Sequence, residues 1–359
     1  MSDDDPAPGG STSTLTIADA QREFAAETVY LNTASLGLPP RKSLAALGTE
    51  LANWRAGRSR PPDYDQPVSA SRAAFADLVG VPADQVAVGS QASVVVGLVA
   101  ASLPDGAEVI VPAGEFTSVV FPFLAQASRG VRVREVPLEA VADTVTEATD
   151  LVALSAVQSA DGRVADLDAV AEAARIADAR VLLDVTQAIG WLPVRADRFA
   201  YTVCGGYKWL LAPRGTCFFT VRPDLMDGLL PHTAGWYAGA APWDSIYGGP
   251  LRLAESARRF DVSPAWHSWV GQAHSLELLT AVGSAALHQH AVGLANGFRT
   301  GLGLAEGNSA IVSVALAPGT EERVRQSGIE ASVRAGRLRL SFYLYNTDAD
   351  VDRALAALS

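Results

Sequence analysis

Residues 180–221 read RVLLDVTQAIGWLPVRADRFAYTVCGGYKWLLAPRGTCFFTV. Three short apolar runs lie in this stretch, Arg180–Val185, Tyr201–Cys204 and Cys217–Val221, and none alternates polar with apolar residues. Strands that are apolar on both faces belong inside a largely parallel sheet covered by helices. Asp184 lies at the end of the first run, beside Val185, and Lys208 follows the second, 24 residues later, the length of one strand-to-strand excursion that returns to the same sheet edge.

Working outward, further runs of the same kind occur at Val86–Val88, Glu108–Val111, Val131–Val136 and Leu151–Val157. Amphipathic stretches at Ala92–Ser102, Thr117–Ser128 and Asp166–Asp178 separate them. This alternation predicts an α/β fold with a doubly wound, mostly parallel seven-stranded sheet. From Trp269 the pattern changes to one long helical stretch ending near Gly301–Gly303. A strand Ala310–Leu316, a helix near Glu321–Gln326, a strand Leu338–Tyr343 and a helix Asp348–Leu358 capped by Thr347 follow. The expected organisation is a disordered tail over 1–14, a large domain over 15–268 with an arm reaching about residue 30, and a small α+β domain over 269–359.

The 359 residues carry 28 Lys and Arg against 39 Asp and Glu, a net charge of −11 that stays acidic without Asp3, Asp4 and Asp5. An acidic chain of this kind is no dedicated nucleic-acid or anionic-membrane binder. The longest apolar stretch, Val94 to Leu103, falls short of the ~20 residues of a spanning helix. The start lacks a basic and apolar leader, so a cytoplasmic protein is expected. Cys204 and Cys217 make neither a disulfide framework nor a four-cysteine zinc site, the five histidines share no ligand spacing, and no metal is expected.

The cations are written almost entirely as arginine. Only Lys42 and Lys208 are lysines. Arginine cannot lose its proton to become a nucleophilic amine, and lysine can. Lys42 lies in a polar Pro-Arg-Lys-Ser run and reads as a surface charge, whereas Lys208 sits between Tyr207 and Trp209 beside an apolar run.

In an open parallel sheet, ligands bind beyond the carboxyl ends of the strands. The polar residues there are Gly89-Ser90-Gln91, Glu115-Phe116, Gln158-Ser159, Asp184 with Gln187, and Lys208. Taken singly, Ser90 and Asp184 also read as caps, Phe116 as core and Gln158 as a turn residue. Together they suit pyridoxal 5′-phosphate (PLP), which needs an amine, a carboxylate for the pyridine nitrogen, a flat stacking group and donors at a helix amino terminus for the phosphate. No dinucleotide fingerprint or Walker loop follows a strand.

At these residues the chain resembles the class V aminotransferase family of fold-type-I PLP enzymes, which includes cysteine desulfurases, kynureninase-like lyases and isopenicillin N epimerase-like proteins. The resemblance starts at Tyr30-Leu31-Asn32-Thr33-Ala34. It is densest at 183–190, at Gly206-Tyr207-Lys208-Trp209 with Pro213-Arg214-Gly215, and at Arg339-Leu340-Ser341 with Tyr345-Asn346-Thr347.

The resemblance implies Lys208 as the Schiff-base amine and proton shuttle, Asp184 on the pyridine nitrogen, and Gln187 on the ring hydroxyl. It also implies Ser90, Gln91 and Tyr207 on the phosphate, Phe116 stacked on the ring and Ser159 beside it. Arg339 would clamp the substrate carboxylate, with Asn32 nearby and Arg334 and Arg337 as alternative clamps. It further implies a homodimer and a small amino substrate, with transamination or β-elimination as the reaction; a desulfurase-like C–S lyase and a non-catalytic binding protein are the alternatives.

Three positions and two segments depart from the family pattern. Phe116 replaces a frequent His, Ser159 a frequent Asn, and Gly205 a hydroxyl residue. The segment 259–266 replaces Arg-Phe-Glu-x-Gly-Thr-x-Asn, which leaves Ser263 as its hydroxyl for a partner's phosphate. The loop Gln326–Arg337 contains no cysteine, as a persulfide-forming desulfurase would require.

Overall fold

A computed structural model describes residues 14–359; the tail expected over 1–14 lies outside the described residues except for Thr14. Seven strands form the central sheet. Their spatial order is Val86–Gly89, Cys217–Val221, Tyr201–Gly205, Arg180–Asp184, Leu151–Ser155, Glu108–Pro112 and Arg132–Val136. Cys217–Val221 runs antiparallel to both of its neighbours and the other adjacent pairs are parallel. Successive residues of a strand face opposite sides, and the core divides accordingly: Leu151 and Ala153 join one buried cluster, Val152 and Leu154 the other. That division is why the central strands are apolar throughout.

The outermost strand breaks this pattern. Arg132–Val136 pairs only with Glu108–Pro112, and Arg132, Arg134 and Glu135 are exposed, as suits an edge that discourages further pairing. The helix expected over Thr117–Ser128 stops at Leu124, with Pro122 inside its last turn.

The single long helix expected from Trp269 is two helices, Trp266–Val282 and Ser284–Gly301, separated by Gly283 at φ 85°. Trp266–Val282 runs through the boundary expected at 268/269. It packs on Arg41–Arg55 and Asp65–Val79, and Trp269, Leu276, Leu279 and Val282 join the large-domain core. The smaller lobe has its own buried cluster, built from Leu294, Phe298, Val312, Leu340 and Val351 together with Val29 and Leu31 from the amino-terminal arm. Its antiparallel sheet orders Ser332–Arg334, Arg337–Ser341 and Ile311–Ala315. The hairpin strand Ser332–Arg334 was not expected; its turn places Ala335 and Gly336 at positive φ. Thr347 caps the final helix in a reciprocal box with Asp350. Among the described residues, no helix is long and apolar enough to cross a membrane.

The arm also closes over the large domain. Val29–Tyr30 pairs in parallel with Ile329–Glu330, Asn32 bridges Ser341, and Gly37 N–H donates to the Tyr207 carbonyl at 2.9 Å. A Cβ at Gly37 would lie 2.0 Å from the Lys208 carbonyl oxygen, so this approach requires glycine.

Candidate active site

Parallel strands deliver their carboxyl ends to one edge, and residues at or just past the ends of five strands meet in a single cavity. Its wall includes Ser90, Phe116, Ser159, Asp184, Gln187 and Lys208, with Gln91 and Tyr207 also contributing. A second, larger cleft of about 890 Å³ involves Arg163, Arg299 and Arg337 but also Glu139, Asp143, Asp161 and Asp166, and does not reach Lys208.

Lys208 sits three residues beyond Tyr201–Gly205 in a turn held by Gly206 N–H to the Thr216 carbonyl (2.9 Å) and Ala212 N–H to the Gly206 carbonyl (3.0 Å). Burial lowers its pKa to about 8 against the opposing pull of Asp184, with Arg339 adding to the lowering. A usable fraction of the amine is therefore unprotonated near neutral pH. Its Nζ lies 5.4 Å from the Phe116 ring centroid and 5.7 Å from that of Tyr207.

Asp184 is the last residue of its strand and is buried. One carboxylate oxygen accepts the Thr186 N–H at 2.8 Å, and the Thr186 side chain also hydrogen-bonds the carboxylate. Burial raises its pKa despite Thr186 and Lys208, which both act to lower it. A cationic N–H brought into the cavity would reverse that burial penalty.

Gln187 is more constrained than the sequence suggested. Its Nε2 donates to the Ala34 carbonyl and to Ser159 Oγ, both at 3.0 Å, and its Oε1 accepts Trp209 Nε1–H at 2.8 Å. Both Nε2 hydrogens are therefore engaged, and donation from Gln187 to a ring oxygen requires one of these partners to give way.

Arg339 does not line the cavity wall but reaches Ser159, which does. Its Nη1 donates to the Ser159 carbonyl and Oγ, and its Nη2 to Ser35 Oγ at 2.7 Å. It is 2% exposed and has no acidic partner among the described residues. Burial and then Arg334 lower its pKa to about 10, so it stays charged at neutral pH. Arg334 donates to the same Ser35 Oγ at 3.3 Å, while Arg337 is spent on Ser313. Asn32 does not line the cavity; its Oδ1 is buried with no partner. Ser263 is exposed and also stands outside the wall.

Glu115 carries a role that sequence reasoning noted only as a polar residue after a strand. It is buried and accepts four hydrogen bonds, from Phe116 N–H (2.7 Å), Ser155 N–H (2.7 Å), Ser155 Oγ–H (2.6 Å) and Gln158 Nε2–H (2.9 Å). This ties the loop bearing Phe116 to the strand end bearing Ser159. Thr186 and Arg214 were likewise absent from the expected set; Thr186 Oγ accepts the Gly205 N–H at 2.9 Å, which joins the two central strand ends.

The donor set fits PLP: an amine depressed to about 8, a buried carboxylate met only by Thr186, an aromatic ring beside the amine, and a helix amino terminus at Ala92–Ala101 beside Ser90. Fold and site together define a PLP-dependent enzyme.

The class-V aminotransferase family matches residues 29–316, and the chain belongs to it. It is similar to the uncharacterized aminotransferase YcbU of Bacillus subtilis (strain 168), 26% identical over 306 residues that cover 79% of this chain and 81% of the relative. It is also similar to isopenicillin N epimerase of Streptomyces clavuligerus, 26% identical over 333 residues covering 80% and 83%. Among solved structures, the cystine C–S lyase C-DES in complex with its reaction product cysteine persulfide superposes with a TM-score of 0.83 at 21% identity, covering 93% of this chain and 97% of that one.

Proposed function

We propose that this enzyme acts on an α-amino acid, with Arg339 receiving the α-carboxylate and Lys208 moving the α-proton, and that the outcome is transamination or loss of a β-substituent. The observation that carries this reading is Arg339: a buried guanidinium held on neutral serine oxygens, without an acid, suits an incoming carboxylate. Bound PLP supplies the electron sink that acidifies the carbon next to a joined amino group.

Around it, the chain's own residues have separate tasks. Lys208, at about 8, can take up and return a proton near neutral pH. Asp184 offers its carboxylate to a ring N–H, and Phe116 covers one side of the space in front of the amine. Glu115 holds Phe116 and Ser155 in fixed relation. Ser90, Gln91 and Tyr207 border the helix terminus where a phosphate would sit.

A C–S lyase reaction is the second reading, and the burial of both cysteines directs it away from a protein-bound persulfide. Cys204 and Cys217 lie on central strands with no exposure, and burial raises both thiols. Sulfur would then leave on a small molecule and not on a protein thiol. The assembly we propose is a homodimer, since Phe116, Phe121 and Leu124 expose apolar surface beside the site and Tyr247 and Leu251 form a second exposed stretch. Only a partner subunit could bring Ser263 to a phosphate. A fully active monomer in sedimentation and dilution assays would refute this.

The test is borohydride reduction of the PLP-loaded protein followed by peptide mapping, then a panel of amino acids scored for keto acid, pyruvate and sulfide. The label is expected on the Lys208 peptide. A protein that takes up no PLP would end the proposal.

A further inference from the structure

Side chains along the cavity wall divide into two groups by what they already bond. Gln187, Ser159 and Thr186 are committed to protein partners. Ser90, Gln91, Ser93, Tyr207 and Arg214 line the same cavity, and none of their side chains makes a hydrogen bond to another described residue. Ser90, Gln91 and Ser93 stand at the amino terminus of Ala92–Ala101, whose N-cap Gln91 makes no side-chain cap and whose Ala92 and Ser93 amides have no intrahelical acceptor, and Tyr207 and Arg214 line the same cavity.

Arg214 is the cation in this group. Among the described residues it is the only positive one lining the cavity besides Lys208, and Asp184 is the only acid lining it. Among the described residues Arg214 has no acidic partner, yet its backbone is firmly placed. Its carbonyl accepts Ser268 Oγ–H at 2.9 Å, and the next residue, Gly215, adopts φ 122° against Ser268 and Ala265. Its guanidinium carbon stands 5.2 Å from the Tyr207 ring centroid, the ring that also has Lys208 Nζ at 5.7 Å. In PLP the aldehyde and the phosphate-bearing arm occupy adjacent ring carbons. An aldehyde placed at Lys208 therefore leaves the phosphate within the span of the Tyr207 neighbourhood.

We infer that Arg214 supplies the counter-charge for the 5′-phosphate of the cofactor, acting with the helix terminus and the hydroxyls of Ser90 and Tyr207. The inference rests on the cofactor reading above. A dianion desolvated against a wall whose other cation is engaged by the aldehyde needs a guanidinium, and Arg214 is the one presented there.

Binding, read as visible absorbance during titration of the apoprotein, separates this role from a structural one. PLP and pyridoxal share the aldehyde and differ in the phosphate. R214A is expected to weaken PLP about 10- to 100-fold, the range for losing one charged hydrogen-bonding partner, and to leave pyridoxal unchanged. R214K should recover part of the loss, and inorganic phosphate should compete with PLP less well in R214A than in wild type. Unchanged PLP affinity in R214A overturns the inference, as does an equal loss for PLP and pyridoxal. Failure of the wild-type protein to take up PLP would remove the cofactor reading and this inference together, whereas selective failure in the pyridoxal comparison removes only the latter.

Discussion

Two buried charge clusters lie along the same sheet and are built in opposite ways. At the edge strand Val86–Gly89, Arg72 and Asp261 form a closed pair: Nη2 meets Oδ2 at 2.6 Å, Nη1 meets Oδ1 at 3.1 Å, and Val88 N–H donates to Oδ1 at 2.8 Å. Arg72 also caps the Val86 carbonyl, so each charged atom has a partner. At the opposite extreme, Lys208, Asp184 and Arg339 are just as deeply buried, yet Lys208 Nζ donates to no described group, Asp184 accepts from Thr186 alone and Arg339 rests on serines. The first cluster satisfies its charges within the fold. The second leaves its charges open to a ligand and costs stability when that ligand is absent.

Substitutions test this contrast, and the largest effect is expected on turnover. Lys208→Ala should lower kcat by at least about 10³-fold while the protein stays folded, because the proton carrier is gone and only an uncompensated charge has been removed. Asp184→Ala should fall nearly as far. Single-turnover kinetics with far-UV circular dichroism checks both; a folded Lys208→Ala protein at wild-type rate would break the assignment.

Stability should respond the other way round. Asp261→Ala strands a buried guanidinium and should cost about 3–5 kcal/mol in urea unfolding, whereas Lys208→Met in the cofactor-free protein should be neutral or stabilising. Equal destabilisation by the two variants would erase the distinction between the clusters.

Arg339→Ala should raise KM for α-carboxylate substrates by about 10- to 100-fold, through loss of a charged hydrogen-bonding partner, with a smaller effect on amines lacking that carboxylate. If Arg334→Ala gave this result and Arg339→Ala did not, the carboxylate site would lie nearer the exposed hairpin.

A subtler effect concerns pH. Lys208 titrates at about 8 in the folded protein, against its ordinary value of 10.5. Below about 8 both folded and unfolded states hold the proton and the full burial penalty applies. Between about 8 and 10.5 the unfolded chain binds more protons, so stability of the cofactor-free protein should rise with pH across that window. Lys208→Met should flatten this rise in urea unfolding measured at several pH values. The smallest effect belongs to the cysteines: the Cys204→Ala, Cys217→Ala double variant should keep its activity and form no protein-bound persulfide with cysteine, as mass spectrometry under turnover can check.

Much of the site was legible because each strand of a parallel sheet ends at the same edge. Reading the residue just past each apolar run therefore found Ser90, Phe116, Ser159, Asp184 and Lys208 without coordinates. The same rule passed over the function of Glu115, since its importance lies in four donors drawn from residues 116, 155 and 158. It also missed the break at Gly283, because the apolar pattern continues through the glycine while the chain changes direction. The edge strand Arg132–Val136 was recognised as a strand but not as an edge, a distinction set by which neighbour is missing.

The sequence by itself determined the α/β sheet and the likeness to the PLP enzymes, through strands apolar on both faces, through a lysine kept where nearly every other cation is arginine, and through the acid 24 residues before it. These are matters of periodicity and residue chemistry, which are local and survive without coordinates. Only the tertiary structure decided which charges are paired. Arg72 and Asp261 are 189 positions apart and closed on each other, while Arg339 meets Ser159 from 180 positions away and finds no acid. Whether a buried charge holds the fold together or stays open to a ligand depends on what the folded chain places within hydrogen-bond reach, and no run of neighbouring residues encodes that distance.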